Sequence, residues 1–223
     1  MHQRGDPDYL PGIRQRLYTA VLSDVLDDLG HREQAMAPAI RPLDDSLVLA
    51  GYARTGLYRE VHHVDPAENP YRLEIALIDD LAADDVPVFG CGGSTRIAPW
   101  GELLTTASRA RGAAGCVTDG FVRDIRAIRA KRFPVFHGGI APLDSKGRGV
   151  VADIDVPIRC GGVAIAPGDL VVGDADGVVV VPRAVEERVV ARAFEKVASE
   201  DRTRDELAAG AKLADVFARH GVL

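Results

Sequence analysis

The segment WGELLTTASRARGAAGCVTDGFVRD, residues 100–124, places a helix, a strand and a polar turn in close succession. Apolar residues recur at helical spacing in its first part, and Gly112 follows where a helix would stop. A helix is therefore predicted from about Glu102 to Arg111. The apolar residues 113–118 then predict a short buried strand. Helix and strand in this order favour the α/β class.

The end of the predicted strand carries the candidate active site. Asp119-Gly120 predicts a turn, and Arg123 and Asp124 follow it directly. The pair would lie just past a strand end, where α/β proteins tend to bind ligands. On spacing alone, a surface salt bridge of little energetic effect explains the pair equally well.

Hydrophobic periodicity on either side of this segment predicts the remaining elements. Helices are predicted over Leu17–Leu29, with Gly30 at the C-terminal end, and near residues 73–81 and 125–128. A long helix is predicted to begin after Pro182, and Gly210 separates it from a last helix. Strands are predicted at residues 47–55, 86–89, 133–136 and 150–156, followed by a meander at 163–165, 170–172 and 178–181. Residues 144–149 are predicted to form an exposed loop, and His62 and His63 to lie at the surface.

Composition limits the class of protein. The chain has 223 residues, 47% of them hydrophobic, and no linker or repeat, so residues 1–223 are predicted to form one domain with a C-terminal helical tail from about residue 183 to 223. A formal charge of -6 argues against nucleic acid as a partner. No apolar run has the length of a membrane span or signal peptide, so we expect a cytoplasmic protein without a membrane partner. The thiols of Cys91, Cys116 and Cys160 are expected to be reduced and buried.

Several common chemistries do not fit the sequence. The glycine-rich loop at residues 90–95 lacks the last glycine of a dinucleotide fingerprint, and no phosphate-loop motif is present. The sequence contains neither a GxSxG elbow nor an HExxH motif. The four lysines all lie in polar or helical contexts, which argues against Schiff-base chemistry.

Arg123 and Asp124 suit an anionic substrate and a hard metal. Mg²⁺ can be held by one direct carboxylate, here Asp124, while other acids such as Glu102 bind its waters. The first-turn amides of Leu103 and Leu104 would favour a substrate carboxylate. A metal and an arginine that converge on a 2-oxo acid would stabilise an enolate, and each group would contribute about 3 kcal/mol.

Four motifs resemble the RraA-like proteins, a family that includes 4-hydroxy-4-methyl-2-oxoglutarate aldolases and oxaloacetate decarboxylases. They are WGELL at residues 100–104 with Arg111-Gly112, TDGFVRD at 118–124, PGDLVVGDADGVVVVP at 167–182 and RDELAAG at 204–210. The resemblance runs in order from about Leu17 to Pro182, with the last motif beyond it.

The resemblance implies a three-layer β/β/α swivelling-domain fold with C-terminal helices. It also implies a homotrimer or dimer of trimers with active sites at subunit interfaces, and an aldolase that uses Mg²⁺ or Mn²⁺ on a small 2-oxo acid. By position, Asp124 would bind the metal, and Arg123 the substrate and its 2-oxo oxygen. The residues expected to line the substrate site are Gly92, Gly93, Gly101, Leu103 and Leu104.

Two further acids are expected around the metal. Glu102 would act through water, although some family members carry an aspartate at this position. Glu200 of a neighbouring subunit would also act through water, and Asp201 and Glu195 are alternatives for this role. The sequence thus predicts a metal-dependent lyase that cleaves 4-hydroxy-2-oxo diacids to pyruvate and a second oxo acid and decarboxylates oxaloacetate. A regulator that binds and inhibits a ribonuclease is the alternative.

Overall fold

The computed structural model describes residues 3–65 and 67–221. The helices are α1 (Tyr9–Arg16), α2 (Thr19–Asp28), α3 (Arg72–Asp79), α4 (Glu102–Ala110), α5 (Ile125–Ala130), α6 (Glu186–Ala208) and α7 (Leu213–His220). The strands are β1 (Arg41–Pro42), β2 (Leu49–Glu60), β3 (Asp85–Gly90), β4 (Cys116–Val122), β5 (Val135–Ile140), β6 (Gly149–Ile154), β7 (Ile158–Cys160), β8 (Val163–Ile165), β9 (Leu170–Asp174) and β10 (Gly177–Val181).

Strand β2 organises the main sheet. The sheet has eight strands in the order β1-β5-β4-β3-β2-β9-β10, with β6 paired to β2. One edge of β2 pairs with β3, while its other edge pairs first with β9 and then with β6. The four strands β2, β3, β4 and β5 run parallel, so the carboxyl ends of β3, β4 and β5 share one edge of the sheet.

The sheet curls until its two ends approach each other. Strand β1 lies at one end and β10 at the other, and the Arg41 guanidinium donates to the carbonyls of Ala175 at 2.7 Å and Asp176 at 2.9 Å. The β7–β8 hairpin packs inside the curve with Met36 and Ile40, which contribute to the same buried cluster. The chain therefore forms a nearly closed sheet around a small second sheet.

The helices cover the outside of the curved sheet in two groups. One group, α1, α2 and α6, buries its apolar stripes against β2, β9 and β10. The other, α3, α4 and α5, packs against β3, β4, β5 and β6. This arrangement confirms the predicted β/β/α fold class. Every helix within residues 3–65 and 67–221 is too short or too polar to cross a bilayer.

Most predicted elements are present, with small shifts at their ends. Helix α2 ends before Gly30, whose φ is +85°, as expected for a left-handed C-terminal glycine. A short 3₁₀ turn, Arg183–Val185, precedes α6. Helix α1 was not predicted. The three cysteines are free and buried, and His62 and His63 are exposed, as expected.

The turn predicted at Asp119-Gly120 is wrong. Strand β4 continues through both residues to Val122, with a register shift between Thr118 and Phe121. The Asp119 carboxylate accepts the amide protons of Cys91 at 2.5 Å and Gly161 at 3.3 Å, so it ties neighbouring segments together instead of closing a turn. Gly120 is required because a Cβ there would lie 2.9 Å from the Cys91 Sγ atom.

The predicted exposure of the loop at residues 144–149 is also wrong in part. The Ser145 side chain is buried, and Asp144 is half-buried. Asp144 lies 3.8 Å from Arg123, just past the end of β4, where the candidate site forms.

Candidate functional site

The candidate site lies at the carboxyl end of β4. The segment before α4 runs beside this end of the strand, with a parallel bridge between Trp100 and Val122. The Arg123 amide donates to the Trp100 carbonyl at 3.0 Å, which joins the strand end to the start of α4. The two parts of the segment at residues 100–124 therefore meet at one place.

Trp100 fixes the start of α4. Its indole is buried, and Nε1 donates to Thr105 Oγ1 at 2.8 Å. Thr105 Oγ1 in turn donates to the Gly101 carbonyl at 2.9 Å. Because both bonds are buried, they hold the first turn of α4 in a set direction. That turn carries the amides of Leu103 and Leu104, which have no acceptor within the helix.

Gly101 lets Asp124 approach this helix end. A Cβ at Gly101 would lie 2.7 Å from Asp124 Oδ2 and 3.2 Å from Arg123 Cγ. The same Oδ2 accepts the Glu102 amide proton at 3.1 Å. Asp124 itself has a φ of 60°, a left-handed conformation that Asp and Asn tolerate better than other side chains.

The Arg123 guanidinium is only loosely held. Its Nε atom lies 3.9 Å from Asp124 Oδ2, and its NH1 atom lies 3.8 Å from Asp144 Oδ1. NH1 donates to the Leu143 carbonyl at 3.3 Å. The side chain is 40% exposed, and that of Asp124 is 48% exposed. Donors of Arg123 therefore remain available to an anionic ligand.

A cavity of about 280 Å³ lies in front of these groups. Its lining residues are Tyr71, Glu74, Ile75, Ala98, Pro99, Trp100, Gly101, Leu103, Leu104, Arg123, Asp124, Asp144 and Ser145. The structure thus brings together Gly101, Leu103, Leu104, Arg123 and Asp124, five of the residues predicted for the site. A larger cavity, of about 610 Å³ between α1 and α6, contains none of them.

Four polar residues of the cavity wall were missed in the sequence: Tyr71, Glu74, Asp144 and Ser145. The Tyr71 hydroxyl donates to Asp144 Oδ2 at 2.7 Å. The pKa of the Asp144 carboxyl stays below its ordinary value because the Tyr71 bond, nearby amides and Arg123 outweigh the opposing effect of burial. Asp144 therefore stays ionised beside Arg123.

Glu74 carried a signal that could have identified it. On α3 it shares one helical face with Leu77 and Ile78, both of which are buried, so a charged residue occupies the apolar stripe. A carboxylate in such a position needs a partner or a function.

The structure places the Glu102 carboxylate away from the cavity. It accepts from Thr106 Oγ1 at 2.7 Å and lies 3.0 Å from Lys131 Nζ. These two contacts lower the pKa of Glu102, with the Thr106 bond as the larger cause. Only the backbone of Glu102 contacts Asp124, and a role for its carboxylate around a metal stays a prediction.

Gly92, Gly93 and Glu200 do not line the cavity within this chain. The two glycines have φ values of 64° and 71° and open space around them. Glu200, on α6, accepts a hydrogen bond from the Tyr18 hydroxyl. The predicted role of Glu200 requires a second subunit and stays a prediction.

The residues fit a hard cation held through a single direct carboxylate. Among the residues that the structure describes, no three His, Cys, Asp or Glu side chains come together as a complete metal site. Asp124 presents an exposed carboxylate next to the cavity, and Mg²⁺ commonly keeps several waters when it binds one carboxylate. Asp124 is therefore the residue of this chain that would hold such an ion.

The chain matches a known family and several named proteins. A family model described as "RraA-like: Aldolase/RraA" matches residues 19–180. A relative in Halalkalibacterium halodurans, named as a candidate 4-hydroxy-4-methyl-2-oxoglutarate aldolase, is 37% identical over 183 residues, which cover 82% of this chain and 81% of that protein. Protein DlpA of Legionella pneumophila is 30% identical over 93% of this chain, but the match spans 34% of that longer protein.

A solved structure is similar over nearly the whole chain. Streptomyces coelicolor RraAS2, described as an unusual member of the RNase ES inhibitor RraA protein family, superposes with a TM-score of 0.79 and 29% identity. The superposition covers 92% of this chain and 99% of that one.

Proposed function

Because this chain belongs to the RraA-like family, we propose that it is a metal-dependent carbon–carbon lyase that cleaves 4-hydroxy-2-oxo diacids to pyruvate and a second oxo acid. The name of the H. halodurans relative suggests 4-hydroxy-4-methyl-2-oxoglutarate as a substrate. Oxaloacetate decarboxylation is the second proposed reaction, since it also produces the enolate of pyruvate. The observation that carries the proposal is the convergence of Arg123, Asp124 and the first turn of α4 on one cavity.

In this proposal, the start of α4 holds the substrate carboxylate. The amides of Leu103 and Leu104 point out of the first helical turn, where the helix dipole favours negative charge. Arg123 donates to the 2-oxo oxygen and stabilises the negative charge that develops there as the carbon–carbon bond breaks. Because Arg123 is loosely held, it can adjust to the substrate.

Asp124 would hold a divalent metal, Mg²⁺ or Mn²⁺, at the same edge of the cavity. Bound there, the ion would supply Lewis-acid stabilisation of the developing charge. Glu102 and the Glu200 of a neighbouring subunit in a trimer are proposed to contact its waters. For Glu102, this requires its carboxylate to leave Lys131 and Thr106.

The test is pyruvate release from oxaloacetate and from 4-hydroxy-4-methyl-2-oxoglutarate. We expect Asp124→Asn to lower kcat/KM by about 10²-fold or more, because one charge-stabilising group is lost. Asparagine is the sharper change than alanine, since it tolerates the left-handed φ of 60° and its oxygen can still accept the Glu102 amide proton. EDTA should reduce the wild-type rate similarly, and added Mg²⁺ should restore it.

Asp176→Asn is the matched control, because Asp176 lies in an exposed turn outside the cavity. It should retain the wild-type rate. Equal rates for wild type, wild type with EDTA, and Asp124→Asn would contradict the proposed function.

Regulation of a ribonuclease is the second candidate, favoured by the similarity to S. coelicolor RraAS2. A regulator that acts through its surface should retain its effect in the Asp124→Asn protein. A ribonuclease inhibition assay with the purified wild-type protein and with the Asp124→Asn variant separates the two functions. Inhibition by both proteins would support the regulator, and inhibition by neither would contradict it.

A further inference from the structure

Glu74 is a buried carboxylate in the wall of the candidate cavity. Its side chain projects from α3, is 7% exposed, and lines the same cavity as Arg123 and Asp124. Glu74 Oε2 accepts a hydrogen bond from the buried Tyr58 hydroxyl at 2.6 Å. Within the described residues the carboxylate makes no ion pair, so its charge is not neutralised by a direct cation.

The surroundings of Glu74 keep its protonated and ionised forms close in free energy near neutral pH. Burial raises the pKa of Glu74 to about 7, and the Asp144 charge acts in the same direction. The Tyr58 hydrogen bond and the Arg123 charge oppose this shift. The titratable groups that face Glu74 are Tyr58 on β2, Tyr71 beside α3, Cys91 after β3, Arg123 after β4 and Asp144 after β5.

Cleavage of a 4-hydroxy-2-oxo acid requires one proton to move from oxygen to carbon. The 4-hydroxyl loses its proton as the C3–C4 bond breaks and a new carbonyl forms at C4. The electron pair of that bond passes into the enolate, and C3 then accepts a proton as the 2-oxo group forms again. A single acid–base group beside both positions can perform both steps.

Resting on the function proposed above, we propose that Glu74 is the catalytic residue that carries this proton. Its carboxylate takes the proton from the 4-hydroxyl, and the resulting carboxylic acid gives the same proton to C3, so the residue ends in its starting state. No further reactant is needed. In oxaloacetate decarboxylation, CO₂ leaves without a proton transfer, so Glu74 must begin as the acid, protonate C3 and recover a proton from water.

The two reactions therefore require opposite starting states of one residue. For aldol cleavage, kcat/KM should rise with pH through about 7, because the carboxylate is the active form. For decarboxylation, kcat/KM should fall over the same range, because the acid is the active form. A purely structural glutamate would not produce a rising limb in the pH–rate profile of one reaction and a falling limb in that of the other.

Glu74→Gln tests the assignment, since glutamine can still accept the Tyr58 hydrogen bond but cannot carry the proton. We expect kcat for aldol cleavage to fall by about 10²- to 10⁴-fold with a small change in KM, and both pH limbs to disappear. Glu186→Gln is the control, because Glu186 is a buried glutamate outside the cavity that pairs with Arg4. It should keep both limbs.

Tyr58→Phe provides a second measurement that does not depend on the folding of Glu74→Gln. Loss of the hydrogen bond that favours the carboxylate should raise the pKa of Glu74, so both limbs should move to higher pH. Carbon-13 NMR titration of the metal-free protein should show the same shift directly, with the Glu74 signal absent from Glu74→Gln.

Unchanged limbs in either Glu74→Gln or Tyr58→Phe would overturn the assignment. If Asp124→Asn were inactive in the same assays, the proposed function would stand and only the role of Glu74 would be wrong. If Asp124→Asn were fully active, the proposed function itself would fail.

Discussion

Arg54 and Arg123 are both arginines surrounded by acids, but they are held very differently. Arg54, on β2, pairs with Asp80 and Asp155 at 2.9 Å and with Asp85 at 3.3 Å. Its side chain is 18% exposed. The hydrogen bonds that Arg54 donates to Asp155 are the largest cause of the raised pKa of Arg54. Arg123 meets its two acids at 3.8 and 3.9 Å and is 40% exposed.

The difference separates a structural cation from an available one. Three carboxylates occupy the planar donor fork of Arg54, which links β2 to the segments on either side. Arg123 makes one bond to a carbonyl, and its charged neighbours lie beyond hydrogen-bond distance. A substrate carboxylate or oxo group can therefore bind Arg123 without displacing a strong partner.

Of the two arginines, Arg123 should have much the larger effect on catalysis when it is changed to alanine. Loss of a donor aimed at the developing charge should lower kcat/KM for pyruvate release by about 10²- to 10³-fold. The melting temperature should stay within about 2 °C of wild type, since Arg123 makes no close ion pair. Steady-state kinetics and thermal unfolding measure the two quantities. A large loss of stability with little loss of rate would show that Arg123 is structural, as Arg54 is.

Gly101→Ala should disturb the same site through geometry alone. The φ of Gly101 is -152°, which alanine adopts readily, so the conflict comes from the new Cβ, placed 2.7 Å from Asp124 Oδ2 and 3.2 Å from Arg123 Cγ. Displacement of Asp124 by about 1 Å should lower kcat/KM by about 10²-fold.

Gly12→Ala is the control for Gly101→Ala. It lies in α1, where a Cβ would meet Phe194 at an ordinary 3.9 Å. It should leave the rate unchanged and stabilise the helix by about 0.5 to 1 kcal/mol. An unaffected rate in Gly101→Ala would mean that the Asp124 position is not critical.

Much of the fold could be predicted because the signals are local. The apolar stripes of α2 and α6 recur within one helix, and both stripes face the same buried cluster. Strand β4 was predicted to end early because Asp119-Gly120 is a strong turn signal. The Asp119 carboxylate instead binds the amides of Cys91 and Gly161, which lie far away in the sequence, and no local pattern shows these partners.

The residues of the site also differ in how close they lie to one another in the sequence. Arg123, Asp124 and the start of α4 occur within one short segment, so their proximity could be predicted. Glu74 and Asp144 reach the cavity from α3 and from the loop after β5, and only the folded chain brings them together.

Arg54→Ala should have the smallest effect on catalysis. In contrast to Arg123→Ala, it should mainly lower the stability of the protein. Removal of the cation leaves Asp80, Asp85 and Asp155 close together without their partner, so the free energy of unfolding should fall by about 1 to 2 kcal/mol. The kcat/KM of the folded protein should change less than about twofold, because Arg54 does not line the cavity. Urea unfolding and kinetics on the same samples test both expectations. Arg54→Lys should recover part of the stability, since it restores the charge but not the planar fork. If Arg54→Ala lost activity while keeping its stability, the distinction between the two arginines would be wrong. Side-chain exposure and the distance to acidic partners would then fail to identify the cation that is available to a substrate.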